Sequence, residues 1–400
     1  MKIIINTSTF KQSPEDTSPN FINSLTEGFS NVNHFFVLYP SKTSNISNKI
    51  YRKNISLLPY KYFIPRKYSN LSNNGLFPSI KKNKFNIIKV ILLIISQFLN
   101  LIYYSIKLKP DLIYSHWLFP QAFISAIVGK FLRIDTVFTS HGSDVKILKN
   151  FGWLGRFIVR FSIQNSEKFT VVSSSNLKII ESLLTNKNIT TKQKIIPMGI
   201  EDIFYTEINQ EPKKNHDMLN FLYFGRMVHY KGVDLIIDAA KKIQNENEFN
   251  FHIDLIGSGI LYDVLEKKII NLGLDQHISM HKFAQKTELI NYIDNADFII
   301  IPSRLTKYEY EAGPLSLVES MSRKKICIVS NSVGFINFAN MKNSLIFESD
   351  SSLDLYNKIL EGASLSKKEI KYIETEAYKT SLEFKFEKIS NKTENFLFQL

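Results

Sequence analysis

Apolar runs of strand length recur along the chain, and each is followed by an amphipathic stretch. In the first half the runs are DLIYSHW, DTVFTSHG, KFTVVSSS and KIIPMG, and in the second half they are LNFLYFG, FHIDLIG, DFIIIPS and ICIVSN. Strands alternating with helical patterns are typical of parallel sheets covered by helices. We find no repeat of solenoid length and no extended low-complexity tract. The pattern therefore predicts an α/β fold.

The length of the chain predicts two domains rather than one, because 400 residues exceed what a single core usually serves. The polar segment 201–218, which carries a proline, reads as the linker between them. We expect an N-terminal Rossmann-like domain over residues 1–205 and a C-terminal one over residues 206–383, each a doubly wound parallel sheet. A final helix over about 384–400 packs its apolar face on one of the two. Open sheets of this kind bind ligands at the carboxyl ends of their strands, so the cleft between the domains is the expected site.

Composition is that of a globular protein, with 44% apolar and 22% charged residues. The single cysteine, Cys327, lies in the apolar run ICIVS and is expected to be a buried strand residue. The N-terminal MKIIINTST has no long apolar core and no cleavage site. It therefore predicts a first strand and a cytoplasmic protein.

The net charge of +13 is distributed unevenly. Residues 1–200 carry 26 Lys and Arg against 8 Asp and Glu, whereas residues 201–400 carry 24 against 29. Residues 51–110 alone hold eleven basic side chains and no acidic one. Such a field attracts phosphates, whether of nucleic acid, of anionic lipid or of a substrate.

The segment 81–109 is apolar over most of a helical circumference and is flanked by lysines. Its longest uninterrupted apolar run, Val90 to Ile95, is far shorter than the roughly 20 residues that a spanning helix needs. The segment is expected not to cross a bilayer. It is either a core helix of the first domain or a helix that lies on an anionic membrane surface, and both interpretations remain open.

Two cations follow the strand LNFLYFG in the stretch GRMVHYKG. Arg226 and Lys231 lie in the turn between this strand and a helix marked by apolar side chains at Val233, Ile236 and Ala240. Amide donors, the helix dipole and the two cations then meet at the carboxyl end of a strand. The sequence predicts an anion site there rather than a solvated surface pair.

Two carboxylates, Glu311 and Glu319, flank the Gly-Pro step of EYEAGPLSLVES. Pro314 suits the first position of a helix, which places Glu311 before the helix and Glu319 inside it. Carboxylates accept hydrogen bonds from neighbouring hydroxyls, as a sugar offers, but acids at a helix start are also stabilised by its dipole. Residue types alone leave the two interpretations open.

GRMVHYKG and EAGPLSLVE, with IDLIGSG and ADFIIIPS, resemble the glycosyltransferases of family 4, also called group 1 glycosyltransferases. KPDLIYSHW, VFTSHGSD and IIPMGIEDIF are similar to stretches of the acceptor domains in that family. The resemblance runs from about residue 109 to 347. It implies a GT-B fold, with two Rossmann-like domains facing across a cleft and the last helix crossing back to the first domain. It also implies a retaining hexosyltransferase that uses a nucleotide-diphosphate sugar.

The resemblance assigns roles to individual residues. Arg226 and Lys231 match the residues that hold the donor diphosphate, Glu311 the one that contacts the transferred sugar, and Glu319 the one that binds the ribose. His141, in TSHGSD, matches a histidine near the transferred sugar, whereas His116 in YSHW is expected to be structural. The remaining donor-binding residues implied by the motifs are Gly225, Gly257, Gly313, Pro314 and Leu315. No Asp-x-Asp triplet occurs, so neither a metal nor another cofactor is expected.

The sequence departs from the family at two places. TSTFKQSPEDTSPNF stands where a Gly-Gly loop often follows the first strand, and SRKKIC replaces a small, Gly-containing turn and a Pro, with Lys324 and Ile326 at those positions. The first change puts a backbone phosphate contact in doubt. The second alters a turn between helix and strand.

Three functions are compatible with these observations. The first is a glycosyltransferase in cell-surface polysaccharide biosynthesis, with a glycan or lipid-linked saccharide as acceptor, on the inner face of the cell membrane. The alternative is a non-catalytic nucleotide-sugar-binding or membrane scaffold protein, against which the complete set of Arg226, Lys231, Glu311 and Glu319 counts. A nucleic-acid binder is not expected, because no recognisable motif accompanies the charge.

Overall fold

The computed structural model of the chain describes residues 1–11, 20–41, 49–62, 86–184, 192–206, 218–306, 311, 313, 315–332 and 338–399. The chain divides into two compact units, residues 1–198 with 386–400, and residues 199–385. Each contains a β-sheet with helices packed against it, as the alternating pattern predicts.

The N-terminal unit is built on a sheet of strand order β3-β4-β2-β1-β5-β6-β7-β8. All neighbouring strands are parallel except β3 and β4. The strands are β1 (Lys2–Asn6), β2 (His34–Pro40), β3 (Lys49–Arg52), β4 (Ile55–Tyr60), β5 (Leu112–His116), β6 (Asp135–Ser140), β7 (Lys168–Val171) and β8 (Gln193–Ile195). The helices are α1 (Phe21–Glu27), α2 (Asn86–Leu108), α3 (Phe123–Leu132), α4 (Ser143–Lys149), α5 (Gly152–Gln164), α6 (Ser174–Leu183) and, at the end of the chain, α13 (Phe386–Leu397).

The core of this unit has a layer on each face of the sheet, because the central strand β1 is apolar without alternation. Ile3, Ile4 and Ile5 are all fully buried. Ile4 packs with side chains of α2 and α3, whereas Ile3 and Ile5 pack with side chains of α1 and α13. Strands buried on both faces read as continuous apolar runs, which is the signal that the sequence carries.

The C-terminal unit has a fully parallel sheet of strand order β11-β10-β9-β12-β13-β14. Its strands are β9 (Leu219–Phe224), β10 (Phe251–Ile256), β11 (Ile278–His281), β12 (Phe298–Ile301), β13 (Ile326–Ser330) and β14 (Ser344–Phe347). Its helices are α7 (Val233–Glu246), α8 (Tyr262–Asn271), α9 (Lys286–Asn295), α10 (Leu315–Ser322), α11 (Ser352–Ala363) and α12 (Lys367–Ser381). The predicted apolar stripe of α7 is buried, and Cys327 is buried in β13.

The boundary between the units lies at residues 198 and 199 rather than at 205 and 206. Ile200 and Phe204 are buried among apolar side chains of the C-terminal unit, and Ile200 N donates to the carbonyl of Phe384 at 2.9 Å. The start of the predicted linker 201–218 is therefore part of that unit, and residues 207–217 lie outside the described residues. The burial of Phe204, within a stretch that is polar overall, and of Ile200 just before it explains the difference.

Helix α13 follows the C-terminal unit in sequence and packs in the N-terminal unit. Its Ser390 Oγ donates to the carbonyl of Leu25 in α1 at 2.9 Å, and Glu394 accepts a hydrogen bond from Asn33 at 2.7 Å. Gly28, just after α1, has no room for a side chain, since a Cβ there would lie 2.4 Å from Ser390 Oγ. The chain thus leaves the N-terminal unit after residue 198 and returns to it at residue 386.

Candidate active site

Two glycines place the loops that follow β9 and β10 in direct contact. A Cβ on Gly257 would lie 1.8 Å from the carbonyl oxygen of Gly225, so only glycine permits this approach. Gly225 N donates to the carbonyl of Ile256 at 2.9 Å and continues the ladder to the ends of both strands. Both predicted donor-site glycines therefore lie at the carboxyl ends of neighbouring parallel strands, where α/β sheets bind ligands.

Lys231 and Glu311 form an ion pair between two separate loops. Lys231 ends a short 3₁₀ turn before α7, and Glu311 lies shortly before α10. Each side chain is only 13% exposed, and Lys231 Nζ donates to Glu311 Oε2. A pair this sheltered is geometrically defined, and removing one partner leaves the other charge uncompensated.

Arg226 joins this pair through two tyrosines. Its guanidinium donates to the hydroxyl of Tyr230 and lies 5.6 Å from the centre of that ring, and Lys231 Nζ lies 5.9 Å from the same centre. The hydroxyl of Tyr223 donates to the carbonyl of Arg226 at 2.9 Å. Burial, followed by the Glu311 charge, raises the pKa of Tyr223 well above its usual value. Arg226, Lys231 and Glu311 therefore belong to one cluster.

Arg304 supports the turn that carries Lys231, and sequence reasoning missed it. It follows β12, is 5% exposed, and donates through Nη1 and Nη2 to the two carboxylate oxygens of Asp234 in α7, both at 3.1 Å. Its backbone N–H donates to the carbonyl of Tyr230 at 2.8 Å. A Cβ on Gly232 would meet the carbonyl oxygen of Pro302 at 2.1 Å. The sequence signal that could have identified Arg304 is an arginine directly after the apolar strand β12, in the stretch IPSR.

Glu319 lies on α10, half-buried and near charges of both signs. Burial raises its pKa to about 7, the charges of Lys286 and Lys231 oppose that rise, and the Glu201 carboxylate adds to it. Lys286 and Glu201 form an ion pair of their own. Glu319 therefore changes protonation state near neutral pH, unlike an ordinary glutamate.

The Gly-Pro step before α10 is described in part. A Cβ on Gly313 would lie 3.3 Å from a ring carbon of Phe338, so a larger residue would crowd that ring. Leu315 is the first residue of α10 and is partly exposed. Pro314 lies outside the described residues.

His141 and His116 form a stacked pair in the N-terminal unit. The rings lie 5.3 Å apart at 25°, with His116 Nδ1 and His141 Nε2 3.1 Å apart. His116 ends β5 and is fully buried, whereas His141 follows β6 and is partly exposed. Burial lowers the pKa of His141 to about 3, and burial together with His141 lowers the pKa of His116. Both imidazoles are therefore neutral at pH 7.

Asp144 fixes the backbone on both sides of this pair, and sequence reasoning missed it. Its carboxylate accepts hydrogen bonds from Leu118 N at 2.5 Å, Gly142 N at 2.9 Å and Ser140 Oγ at 3.0 Å. These donors belong to the segments after β5 and around the end of β6. Burial raises the pKa of Asp144, and the hydrogen bonds oppose that rise. The carboxylate thus holds together the two segments that carry the histidines.

The C-terminal cluster can bind a polyanion and a polyol at adjacent positions. Two cations at the carboxyl edge of a parallel sheet suit a diphosphate, and a neighbouring carboxylate suits sugar hydroxyls. Within the ranges that the structure describes, no group of three His, Cys, Asp or Glu side chains is placed to hold a metal ion. The roles assigned to individual residues, and the expectation of no metal, remain predictions.

The fold is GT-B, as predicted. The solved structure of Anabaena Alr3699/HepE in complex with UDP superimposes with a TM-score of 0.72 over 100% of both chains, at 15% identity. In this chain the match spans two α/β units, each built on a mainly parallel sheet.

The C-terminal unit is similar to the group 1 glycosyltransferases. Residues 204–379 match the family described as "Glycosyl transferases group 1", which confirms the resemblance predicted from the motifs. The matched region contains the cluster of Arg226, Lys231 and Glu311, and it also contains Glu319. The family number 4 stays a prediction.

Curated relatives are similar over part of their length. The uncharacterized glycosyltransferase MJ1178 of Methanocaldococcus jannaschii is 32% identical over 253 residues, which are 63% of this chain and 65% of that protein. The putative teichuronic acid biosynthesis glycosyltransferase TuaC of Bacillus subtilis is 23% identical over 240 residues, 58% of this chain and 55% of that protein. The chain thus spans less than two thirds of each.

Proposed function

We propose that this protein is a retaining glycosyltransferase that moves a hexose from a nucleotide-diphosphate sugar to a glycan or lipid-linked saccharide in polysaccharide biosynthesis. The observation that carries the proposal is the Arg226, Lys231 and Glu311 cluster at the carboxyl ends of β9 and β12. The polysaccharide context is drawn from TuaC, whose name specifies teichuronic acid biosynthesis. The nucleotide donor is supported by the UDP complex of the Anabaena structure.

The proposed chemistry follows from where charge develops. The bond between the anomeric carbon and the diphosphate oxygen breaks, and its electron pair stays on the diphosphate. The acceptor hydroxyl forms the new bond to that carbon, and its proton passes to the departing diphosphate. Arg226 and Lys231 stabilise the departing diphosphate, and because their positions are already defined, little reorganisation is needed as the charge develops. Glu311 accepts hydrogen bonds from the transferred sugar, and His141 keeps the role that the family resemblance assigns to it.

Glu319 binds the ribose of the donor in this proposal, and the loop glycines Gly225 and Gly257 let the backbone approach the nucleotide. No metal is needed, because the two cations neutralise the diphosphate. The acceptor is held at the inner face of a membrane, where the basic N-terminal unit meets anionic lipid.

The test is a transfer and hydrolysis assay on the purified chain with a panel of nucleotide sugars. The expected result is turnover of one of them, with the α or β configuration of the donor preserved in the product as read by proton NMR. Lys231→Ala should lose turnover, whereas Lys242→Ala, at the surface of α7, should retain it. Inversion at the anomeric carbon, or normal activity of Lys231→Ala, would contradict the proposal.

A catalytically silent nucleotide-sugar-binding protein is the alternative. It predicts that nucleotide sugars raise the thermal stability of the chain without being consumed. Stabilisation without turnover for every donor in the panel, with several glycan acceptors supplied, would favour it.

A further inference from the structure

The outer sides of α2 and α5 expose large apolar side chains on one face of the N-terminal sheet. On α2 they follow helical spacing at Ile88, Ile91, Ile95, Leu99, Tyr103 and Ile106, and on α5 they are Trp153, Leu154 and Phe157. Scattered single apolar residues are normal on a surface, but a stripe along a 23-residue helix is not. This surface is called the α2–α5 face below.

The two helices belong to one layer. α3 packs against both of them, and its Phe123 contacts the α5 rings of Phe157 and Phe161 at 6.3 and 5.6 Å. The inner side of α2 is anchored in the core through Val90, Leu93 and Leu101. By length and composition α2 could cross a membrane, although its longest uninterrupted apolar run is short. Of its most apolar stretch, 28% is buried in the structure. A helix anchored in this way keeps its exposed stripe at the surface of the unit.

The charges of this layer have one sign. Residues 145–166, which include α5, contain Lys146, Lys149, Arg156 and Arg160 and no Asp or Glu. Residues 86–110, which include α2, contain the exposed Lys107 and Lys109, the buried Lys89 and again no acid. A partner that covers the face must therefore be apolar and anionic together. The interface of a bilayer with anionic lipid has this chemistry, and a tryptophan beside basic residues is typical of proteins that lie in it.

We propose that the α2–α5 face is a membrane-docking surface that inserts Leu99 and Trp153 among anionic lipid headgroups. The inference deepens the membrane part of the proposed function and names the side chains that perform it. It requires no nucleotide sugar, so it fails or succeeds independently of the donor site.

Vesicle sedimentation tests the surface on the intact chain. With vesicles of phosphatidylcholine and about 30% phosphatidylglycerol, the wild type should sediment, whereas pure phosphatidylcholine or about 0.5 M salt should release it. Leu99→Glu and Trp153→Glu should each weaken binding at least about tenfold, since each removes a large apolar side chain from the interface. Phe283→Glu in the C-terminal unit is the matched control, because Phe283 and Trp153 are both 78% exposed.

Tryptophan fluorescence gives a direct readout of insertion. The chain has two tryptophans, Trp117 and Trp153, so Trp153→Phe supplies the background. A blue shift with anionic vesicles that Trp153→Phe removes would support the proposal. The proposal would be overturned if Phe283→Glu lost binding equally, if the wild type did not sediment with anionic vesicles, or if it stayed bound to them after a high-salt wash. A concentration-dependent dimer that Leu99→Glu abolishes, without vesicle binding, would overturn it in favour of a second copy of the chain.

A second inference concerns the tautomer of His141 and rests on a different observation. His116 Nε2 is buried and has no hydrogen-bond partner among the described residues, whereas His116 Nδ1 faces His141 Nε2. A proton on Nε2 would be an orphaned buried donor, which native structures rarely contain. A proton on Nδ1 is instead donated to His141.

We infer that His116 is a positioning residue that holds His141 with its proton on Nδ1. His141 then presents an N–H donor, not an acceptor, to a ligand. In the proposed reaction this donor would meet a hydroxyl oxygen of the transferred sugar.

Long-range proton–nitrogen NMR on histidine-labelled protein reads the tautomer without substrate. His141 should show the Nδ1-protonated pattern at pH 7, and the Nε2-protonated or doubly protonated pattern would overturn the inference. His116→Phe should mix the tautomers and lower kcat at least about tenfold. His116→Asn, whose side-chain amide can donate from a similar position, should restore both the tautomer and most of kcat. Equal damage by the two variants, with the His141 pattern unchanged, would reduce His116 to a packing role.

Discussion

The two units use charge in opposite ways. In the C-terminal unit two cations near the site each have a carboxylate from another element, in the pairs Lys231 with Glu311 and Arg304 with Asp234. In the first 200 residues 26 cations meet 8 carboxylates, so most of them cannot be paired within that half. Paired charges have defined positions, whereas an excess of one sign produces a field to which every cation contributes a little. Single substitutions of charged residues should therefore be severe in the C-terminal unit and mild in the N-terminal unit.

The largest effect is expected for Glu311→Ala. The substitution leaves Lys231 without its carboxylate partner and removes the hydrogen-bond acceptor proposed for the hydroxyls of the transferred sugar. The value of kcat/KM should therefore fall by about a thousandfold or more while the fold is retained. Arg156→Ala in α5 is the comparison, and its kcat/KM on a soluble acceptor should change by less than about twofold. Steady-state kinetics and circular dichroism on both variants check this. Similar losses in both would erase the contrast between the units.

Arg304→Lys should have the next largest effect, since a lysine cannot reproduce the two-pronged contact with Asp234. We expect kcat/KM to fall about tenfold to a hundredfold, because the turn bearing Lys231 loses its support, and the unfolding free energy to fall by about 1–3 kcal/mol.

The control for Arg304 is Lys242→Ala, which breaks the surface pair with Glu246 within the same helix α7. An exposed pair of this kind contributes at most about 1 kcal/mol and does not touch the turn. Chemical denaturation and kinetics on the two variants separate them. An Arg304→Lys enzyme that is destabilised but fully active would show that Arg304 supports the core and not the site.

A smaller effect is expected from pH at Glu319. Because its pKa is raised to about 7, the carboxylate form is lost as the pH falls below 7 and gained as the pH rises. Ribose hydroxyls donate to the carboxylate, so affinity for the nucleotide sugar should rise by up to about tenfold from pH 6 to pH 8. Calorimetric titration across this range should show the rise in the wild type and a flat profile in Glu319→Gln. A flat wild-type profile would remove Glu319 from the ribose contact.

The sequence predicted the scaffold of the site better than its supports. Strands such as β9 and β12 and the buried stripe of α7 follow from local apolar spacing, and the fold class follows from their alternation. Arg304 and Asp144 act through partners about 70 and 26 residues away in the chain, as their hydrogen bonds to Asp234 and Leu118 show. Spacing within a motif carries no information on such contacts.

The same limit explains the boundary between the units and the exposed stripe of α2. Residues 201–206 begin the segment 201–218, which is polar overall, and only the packing of Phe204 shows that they belong to the C-terminal unit. The α2 sequence is apolar on most sides, and only the position of the sheet shows which side is covered. Which face of an all-apolar helix is buried is a property of the neighbouring elements.

The smallest effect is expected for substitutions of Lys324, which test whether the turn after α10 contributes to the site. Lys324 stands where the family has a glycine-containing turn, and it adopts a left-handed conformation with φ of 56°. Its Nζ lies 5.2 Å from the centre of the Tyr378 ring, a contact worth about 0.5–1 kcal/mol at an exposed position. Lys324→Gly and Lys324→Ala both lose that contact, but only glycine relieves the backbone. Denaturant unfolding should therefore find the Gly variant more stable than the Ala variant by about 1 kcal/mol, with unchanged kcat/KM in both.

Gly273→Ala is the reciprocal control, since Gly273 has φ of 65° with open space around it and the variant should lose about 1 kcal/mol of unfolding free energy. A fall in kcat/KM for Lys324→Gly would mean that this turn, and not only the paired charges before α10, contributes to the site.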